Sequence, residues 1–296
     1  NKVSQKGILN FSIVGILIFI FLGSVFSFNN GFIKNYNKVE QDIYFEFINL
    51  GIWNPKNMQS VNMRQFNKDD NRKKLLIIGD SFAEDLVNAV KESSLENKYQ
   101  LSAYRMSRLC GVLYVEKKLI EDFQPNSCSL EPNLFDERDF YNNNRLIANP
   151  KLITLIQEAD EIWIQSAWLD WQIPFMKSSL QSLQEFNSNL VLFSSKEFKI
   201  KSASQYKNQY GLKGIKSDFL ISEEHKILSE QLQEIARQTN VRFIDPMYVI
   251  CDSYITCKHS FDGEGIISAD SAHLTPYGAN YFGKKLEELF IQNNLN

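Results

Sequence analysis

Five short apolar runs, separated by segments with helical spacing, constrain the fold of this chain more than any other feature. The strand candidates are Lys74–Ile78, Gln100–Tyr104, Glu161–Gln165, Leu190–Phe193 and Arg242–Ile244. Periodic apolar residues between them predict helices around Glu84–Ser93, Asn149–Glu158, Lys177–Phe186 and Ser222–Thr239. Strands that alternate with helices form a parallel sheet covered on both faces. The sequence therefore predicts an α/β domain with three layers, α/β/α, around a five-stranded parallel sheet.

The first strand candidate ends at Gly79-Asp80-Ser81, and a helical pattern begins directly afterwards. Ser81 is therefore predicted at the carboxyl end of a buried strand and at the start of a helix. In open parallel sheets this edge binds ligands, and the N–H groups of a first helical turn stabilise an oxyanion. Asp80 is expected to hold the turn. A serine that only caps the helix is the alternative, and the motif alone favours that interpretation.

Residues 270–274, with the sequence DSAHL, supply two further groups of an activated nucleophile. Their spacing lets Asp270 accept from one imidazole nitrogen of His273 while the other nitrogen takes a serine proton. We therefore predict a triad of Ser81, His273 and Asp270 that performs acyl chemistry. A histidine in a capping loop without chemistry is the alternative. Asp245 is a weaker candidate for the acid.

Another histidine, His225, lies in the segment Ser222-Glu223-Glu224-His225, which has the pattern of a solvent-facing helix start. We expect this side chain to be structural or solvated, without a role in the chemistry.

The two motifs together resemble the first and last sequence blocks of the SGNH, or GDSL-like, hydrolases and acyltransferases. The layout is similar to the SGNH domain fused C-terminal to the membrane domain of the acyltransferase-3 family, which includes O-acetyltransferases of O-antigen and other surface glycans. The resemblance extends from about Arg72 to the C-terminus. It implies a flavodoxin-like SGNH-hydrolase fold with the triad described above.

The middle blocks of the family pattern are altered in this chain. Standard members carry a Gly-x-Asn-Asp block after the third strand, where this sequence reads QSAWLD at residues 165–170. The backbone N–H of Ser81 is the first predicted oxyanion donor. Further candidates are Gly111, in the loop after the second strand, and the side chains of Ser166 and Gln165. One such donor contributes about 3 kcal/mol of transition-state stabilisation.

Residues 8–28 form an uncharged apolar segment that is long enough to cross a bilayer as a helix. We predict a transmembrane helix over 1–28, an extension packed on the domain over 29–71, and the catalytic domain over 72–296. Because the sequence begins at Asn1 rather than methionine, the helix is interpreted as the last span of a larger membrane domain. A cleaved signal peptide is the alternative, but no convincing cleavage site follows the apolar segment.

Four cysteines fall as two local pairs, Cys110 with Cys128 and Cys251 with Cys257. Four cysteines permit three pairings, and closure of the two short loops is the simplest. Such disulfides predict an oxidising compartment, whereas reduced thiols in the cytosol are the alternative. Their spacings do not fit a zinc site, so no metal is expected. Cysteines in comparable loops also occur in fused SGNH domains, which agrees with a domain in the periplasm, anchored in the bacterial inner membrane.

The net charge of −3 and the lack of a basic stripe in the sequence give no support for nucleic-acid binding. The family resemblance implies an O-acyltransferase, and specifically an O-acetyltransferase, whose acceptor is a cell-surface or lipid-linked glycan. It also implies that acetyl-CoA is the ultimate acyl donor, through a membrane acyltransferase domain upstream in the same chain, and that this domain itself binds no cofactor. A membrane-tethered periplasmic carbohydrate esterase with the same triad and a non-catalytic glycan-binding module are the alternatives.

Overall fold

The chain has 296 residues. A computed structural model describes residues 5–29, 53, 55–106, 150–198, 219–220, 223–251, 256–257, 267–268 and 272–293. The chain divides into two compact units, residues 1–45 and residues 46–296. Each unit is described by itself.

The first unit contains one long helix, α1, which spans Gln5–Phe28. Within it, the segment Leu9–Phe28 has a mean hydropathy of 2.5 and is not buried by protein. A helix of this length and composition is able to cross a bilayer.

In its described residues, the second unit contains seven strands. They are β1 Lys73–Gly79, β2 Tyr99–Arg105, β3 Glu161–Gln165, β4 Leu190–Phe193, β5 Phe219–Leu220, β6 Arg242–Ile244 and β7 Thr256–Cys257. Five of them form a parallel sheet in the order β2-β1-β3-β4-β6, and β5 pairs with β7 in a separate antiparallel ladder. The predicted five-stranded parallel sheet is thus confirmed, with strand positions close to those of the apolar runs.

Helices cover both faces of the sheet. They are α2 Ser81–Lys91, α3 Pro150–Glu158, α4 Ile173–Gln184, α5 Glu223–Thr239, α6 Pro246–Ile250 and α7 Pro276–Asn293. Alternate residues of β1 belong to different cores, since Ile77 packs in the cluster of α2 and α7 whereas Ile78 packs in the cluster of α3, α4 and α5. A strand buried on both faces accounts for the continuous apolar run in the sequence. The predicted three-layer α/β/α class is confirmed.

Residues from the predicted extension over 29–71 contribute to this unit where the structure describes them. Met58 and Val61 are buried in the cluster of α2 and α7. The backbone N–H of Met63 donates to the Ala103 carbonyl of β2, with an N···O distance of 2.7 Å. Among the described strands β2 lies at the edge of the sheet, and this contact pairs with a backbone group on its outer side.

The carboxyl ends of the parallel strands meet at one edge of the sheet. In register, Gly79 of β1 lies between Arg105 of β2 and Gln165 of β3. Helix α2 begins two residues after Gly79. Helix α7 packs closely on α2 at Gly283, where an added Cβ would overlap the Ala89 carbonyl. This close packing brings the loop before α7 to the start of α2.

Candidate active site

The structure brings together two residues that the sequence predicted from opposite ends of the chain. Ser81 Oγ lies 2.9 Å from His273 Nε2, within hydrogen-bond distance. Ser81 is the first residue of α2, and His273 lies in the short loop before α7. Both side chains are half-buried. A serine hydroxyl in contact with an imidazole nitrogen is the arrangement of an activated nucleophile.

The turn before the serine depends on Gly79. This residue has a φ of +153°, and a Cβ at its position would overlap the Gln165 carbonyl of the neighbouring strand. The Gly79 carbonyl accepts from the Met106 N–H at 2.8 Å. Glycine is therefore required here, because it lets β1 and β3 approach closely where the chain leaves the sheet.

Asp80 joins this turn to the end of β3. Its Oδ1 accepts from the Phe82 N–H at 2.9 Å and so caps α2. Its Oδ2 accepts from Ser166 Oγ at 2.8 Å and from the Ala167 N–H at 2.9 Å. The side chain is buried, and these three hydrogen bonds agree with the expectation that Asp80 holds the turn.

Two side chains predicted as oxyanion donors make buried hydrogen bonds to the protein. Ser166 Oγ donates to Asp80, and Gln165 Nε2 donates to the Ser194 carbonyl at 3.0 Å. Neither side chain is exposed. The single O–H of Ser166 would have to leave Asp80 to bind an oxyanion, whereas the Gln165 amide keeps a second N–H beyond the one that binds Ser194. The Ser81 N–H lies in the first turn of α2, where helix geometry provides no intrahelical acceptor.

Several predicted site residues lie outside the described residues, namely Asp270, Gly111, Cys110 and Cys128. Cys251 is buried, while the side chain of its predicted partner, Cys257, is not described. The acid of the triad, the Gly111 donor and both disulfides therefore stay predictions. In the described part of the chain, no three His, Cys, Asp or Glu side chains cluster in a way that would hold a metal ion.

Asp245, the weaker candidate for the triad acid, has a structural position. Its Oδ1 accepts from the Met247 N–H at 2.8 Å and caps α6, and its Oδ2 accepts from Ser229 Oγ. His225 Nε2 lies 3.5 Å from Asp245 Oδ1. His225 is buried, so the expectation of a solvent-facing start to this helix is wrong for its side chain, which lies on the inner face of α5.

A fully buried ion pair, which the sequence did not predict, lies beside the Ser81–His273 contact. Asp85 Oδ2 lies 2.5 Å from Lys196 Nζ, and both side chains are 0% exposed. Burial raises the pKa of the Asp85 carboxyl, and the charges of Lys196 and His273 oppose this effect. The signal in the sequence was an acidic residue one helical turn after Ser81, at a position where α2 is buried.

A second carboxylate of α2 also pairs with a cation. Glu84 Oε1 lies 2.8 Å from Arg105 Nε. Burial raises the pKa of Glu84, and the positive charge of Arg105 opposes that rise. The Arg105 side chain is 53% exposed, so this pair connects the interior to the surface at the carboxyl end of β2.

Comparisons with known proteins identify a family and similar folds. The family model described as "SGNH domain (fused to AT3 domains)" matches residues 55–288. The fold is similar to that of the lipopolysaccharide acetyltransferase periplasmic domain from Salmonella ser. Paratyphi A, with a TM-score of 0.54 and 12% identity over 88% of this chain and 99% of that chain.

Two esterases are also similar in structure, at lower scores. A carbohydrate acetylesterase from Sinorhizobium meliloti has a TM-score of 0.39 and 12% identity over 75% of this chain and 99% of that chain. A catalytic mutant of an acetylxylan esterase from Geobacillus stearothermophilus has a TM-score of 0.35 and 10% identity over 73% of this chain and 93% of that chain. A comparison with curated proteins finds no match.

Proposed function

The chain belongs to the family of SGNH domains fused to AT3 domains, and we propose that it transfers acyl groups, specifically acetyl groups, to a glycan hydroxyl. The family resemblance predicted from the sequence is thereby confirmed. The observation that carries the proposal is the contact of 2.9 Å between Ser81 Oγ and His273 Nε2. The similar fold of a lipopolysaccharide acetyltransferase domain supports a bacterial surface or lipid-linked glycan as acceptor.

In the first half of the proposed reaction, Ser81 Oγ attacks the carbonyl carbon of the acyl donor. His273 Nε2 takes the hydroxyl proton as the new C–O bond forms, and a tetrahedral intermediate results. When the intermediate collapses, the bond to the leaving group breaks and the imidazolium returns the proton to that group. The acyl group then remains as an ester on Ser81.

In the second half, His273 accepts a proton from a sugar hydroxyl, whose oxygen attacks the ester carbon. The bond to Ser81 Oγ breaks, and the serine oxygen regains its proton from the imidazolium. Water in place of the sugar gives hydrolysis through the same steps. Transfer therefore requires a bound acceptor that reaches the ester before water does.

Asp270 is proposed to orient the His273 ring and to stabilise its charged form. The Ser81 N–H is proposed as an oxyanion donor, supported by the N-terminal end of α2, where the helix dipole favours negative charge. A negative charge that develops on the substrate carbonyl oxygen would lie close to this end of the helix.

Helix α1 is proposed to anchor the catalytic unit to the bacterial inner membrane, with that unit in the periplasm. The length and composition of Leu9–Phe28 support a membrane span, and the fusion in the family description supports a membrane acyltransferase domain in the same chain. We propose that this AT3 domain delivers acetyl groups that originate in acetyl-CoA. The two proposed disulfides suit the oxidising periplasm.

The nucleophile is tested with a fluorophosphonate, which labels activated serines, and with an aryl acetate as substrate. Ser81→Ala should abolish labelling and lower the rate of ester cleavage by about 10⁴-fold or more, with an unchanged melting temperature. Ser94→Ala, which alters a serine near the amino end of β2, is the matched control and should label like the wild type. Full labelling of Ser81→Ala would contradict the assignment.

An experiment with and without a glycan acceptor distinguishes acyl transfer from hydrolysis. The full chain is incubated with an aryl acetate, with and without bacterial surface glycan, and acetylated glycan and free acetate are measured. Transferase activity predicts that glycan acetylation rises at the expense of free acetate and that both depend on Ser81. Free acetate alone, at a rate that glycan does not change, would favour the esterase.

A further inference from the structure

We infer that Asp85 and Lys196 are positioning residues that hold the loop of His273 against helix α2. The inference rests on the proposed function, because it assigns a role in aligning the imidazole with Ser81. Both side chains are 0% exposed and their charged atoms lie 2.5 Å apart. Neither residue is proposed to touch the substrate.

Asp85 connects helix α2, which carries Ser81, to the loop that carries His273. It lies one turn after Ser81 on α2, so the two residues share a face of the helix. Asp85 Oδ1 accepts from the Leu274 N–H at 3.2 Å. Leu274 directly follows His273, and therefore one carboxylate on the nucleophile's helix fixes the backbone beside the proposed base.

Lys196 adds a third segment of the chain to this arrangement. It follows β4 and approaches Asp85 from the carboxyl edge of the sheet. Its Nζ also lies 3.7 Å from the centroid of the Phe82 ring. That ring and the His273 imidazole form a T-shaped contact, with centroids 5.9 Å apart and an interplanar angle of 80°. The lysine is thus linked to the loop of His273 by two routes, through the carboxylate that binds the Leu274 N–H and through the aromatic ring that contacts the imidazole.

Stability alone does not explain a fully buried ion pair. Removal of two charges from water is costly, and well-packed apolar residues of similar volume often serve a fold equally well or better. The Leu274 N–H, by contrast, needs an acceptor in this buried position. Asp85 meets that need, and Lys196 restricts its carboxylate to one orientation.

The expected consequence of losing the pair is a displaced imidazole in a folded protein. A misplacement of about 1 Å in an active site lowers the rate by about 100-fold. The acyl-binding surface is unchanged in such a variant, so kcat for an aryl acetate should fall while KM stays the same. A purely structural role would instead lower the melting temperature and leave the kinetics of the folded fraction intact.

Two double variants of the full chain separate these roles. Asp85→Leu combined with Lys196→Met removes both charges and the acceptor for the Leu274 N–H. Asp85→Asn combined with Lys196→Met also removes both charges but keeps an amide oxygen as acceptor. The measurements are the rate of fluorophosphonate labelling of Ser81, kcat and KM for an aryl acetate, and the melting temperature. If the leucine variant does not fold, Asp85→Ala with Lys196→Met replaces it.

We expect labelling and kcat to fall by about 100-fold in the leucine variant and to recover at least about tenfold in the asparagine variant, because the acceptor is restored. Equal rates in wild type and folded leucine variant would overturn the inference. Equal loss in both double variants would also overturn it, since the acceptor would then not matter. Lys98→Met with Glu287→Gln, which removes an exposed ion pair at the amino end of β2, is the control and should leave both rates unchanged.

If the proposed function itself is wrong, the labelling of the wild-type chain shows it, independently of the double variants. If fluorophosphonate does not label the wild-type chain at Ser81, the serine chemistry is wrong and the positioning role falls with it. If the wild type labels at Ser81 and Ser81→Ala does not, the chemistry stands, and the comparison of the double variants alone decides the role of Asp85 and Lys196.

Discussion

The carboxyl and amino ends of the parallel strands differ in how far their charged side chains are exposed to solvent. At the carboxyl ends of the strands, Asp80 is buried in hydrogen bonds and the Asp85–Lys196 pair is 0% exposed. At the amino ends, Arg72 pairs with Asp70 and Lys98 pairs with Glu287, each at 2.6 Å but in the presence of solvent. Carboxylates and their cationic partners are therefore buried at one end of the sheet and solvated at the other.

This difference shows where the fold carries polar groups for a purpose other than stability. Exposed ion pairs contribute about 0–1 kcal/mol, and their loss has little effect. Buried charges are costly unless every group is paired. The carboxyl-end edge retains such groups next to Ser81 and His273, where the proposed acyl transfer requires a fixed geometry.

Gly79→Ala should have the largest effect on the free energy of unfolding. It disrupts the packing at the carboxyl ends of the strands without changing any charge. The new Cβ would overlap the Gln165 carbonyl, and the φ of +153° disfavours a side chain. We expect a loss of about 3 kcal/mol or more in the free energy of unfolding, measured by urea denaturation. The control is Gly15→Ala, for which no atom of the described residues lies within 4 Å of the new Cβ apart from its own stretch of helix. A Gly79→Ala protein as stable as the wild type would refute the close approach of β1 and β3.

Substitutions of Asp80 and Asp70 compare a buried aspartate at the carboxyl ends of the strands with a more exposed one at the amino ends. Asp80→Asn places an amide where Asp80 now accepts from the Ala167 N–H and Ser166 Oγ, so the free energy of unfolding should fall by about 2 kcal/mol. Asp70→Asn weakens an exposed pair with Arg72 and should cost less than about 1 kcal/mol. Both are measured by urea denaturation at neutral pH. Equal losses for the two variants would contradict the difference between the edges.

The smallest effect concerns pH and two glutamates whose pKa shifts have opposite signs. Burial raises the pKa of Glu84 above 4.5, so the folded protein binds this proton more tightly than the unfolded chain. Its contribution to stability is present below pH 4.5 and is lost as pH rises through the folded pKa. Hydrogen bonds from Lys98 and Ser94 lower the pKa of Glu287, so its contribution is present above pH 4.5 and is lost as pH falls through the lower folded pKa.

Urea denaturation at a series of pH values tests this contrast with Glu84→Gln and Glu287→Gln. Relative to wild type, Glu84→Gln should gain stability as pH rises above 4.5, and Glu287→Gln should gain stability as pH falls below 4.5. Parallel curves for wild type and either variant would contradict the corresponding shift.

Much of the fold could be predicted because the signals are local. The run at Leu75–Ile78 is continuous since β1 is buried on both faces, and Gly79 with Ser81 marks the turn into α2. The contact of Ser81 with His273 followed from the motifs and from the convergence of parallel strands at one edge. The roles of Asp270 and Gly111 stay predictions.

Other parts of the site could not be predicted, because they depend on which side chains meet across the fold. Nothing local to Asp85 indicates that Lys196 is its partner or that the Leu274 N–H is its donor. Ser166 is a plausible oxyanion donor in the sequence, but its position next to Asp80 engages its hydroxyl.

The sequence by itself determined the five strands of the parallel sheet, the helices between them, the apolar helix α1 and the pairing of Ser81 with His273, because periodicity and turn chemistry act between neighbours in the chain. Only the tertiary structure decided which polar groups are buried and which partner each one has. The physical reason is that a hydrogen bond or ion pair requires a separation of about 3 Å between groups, and only the packing of the helices on the sheet brings such distant residues that close.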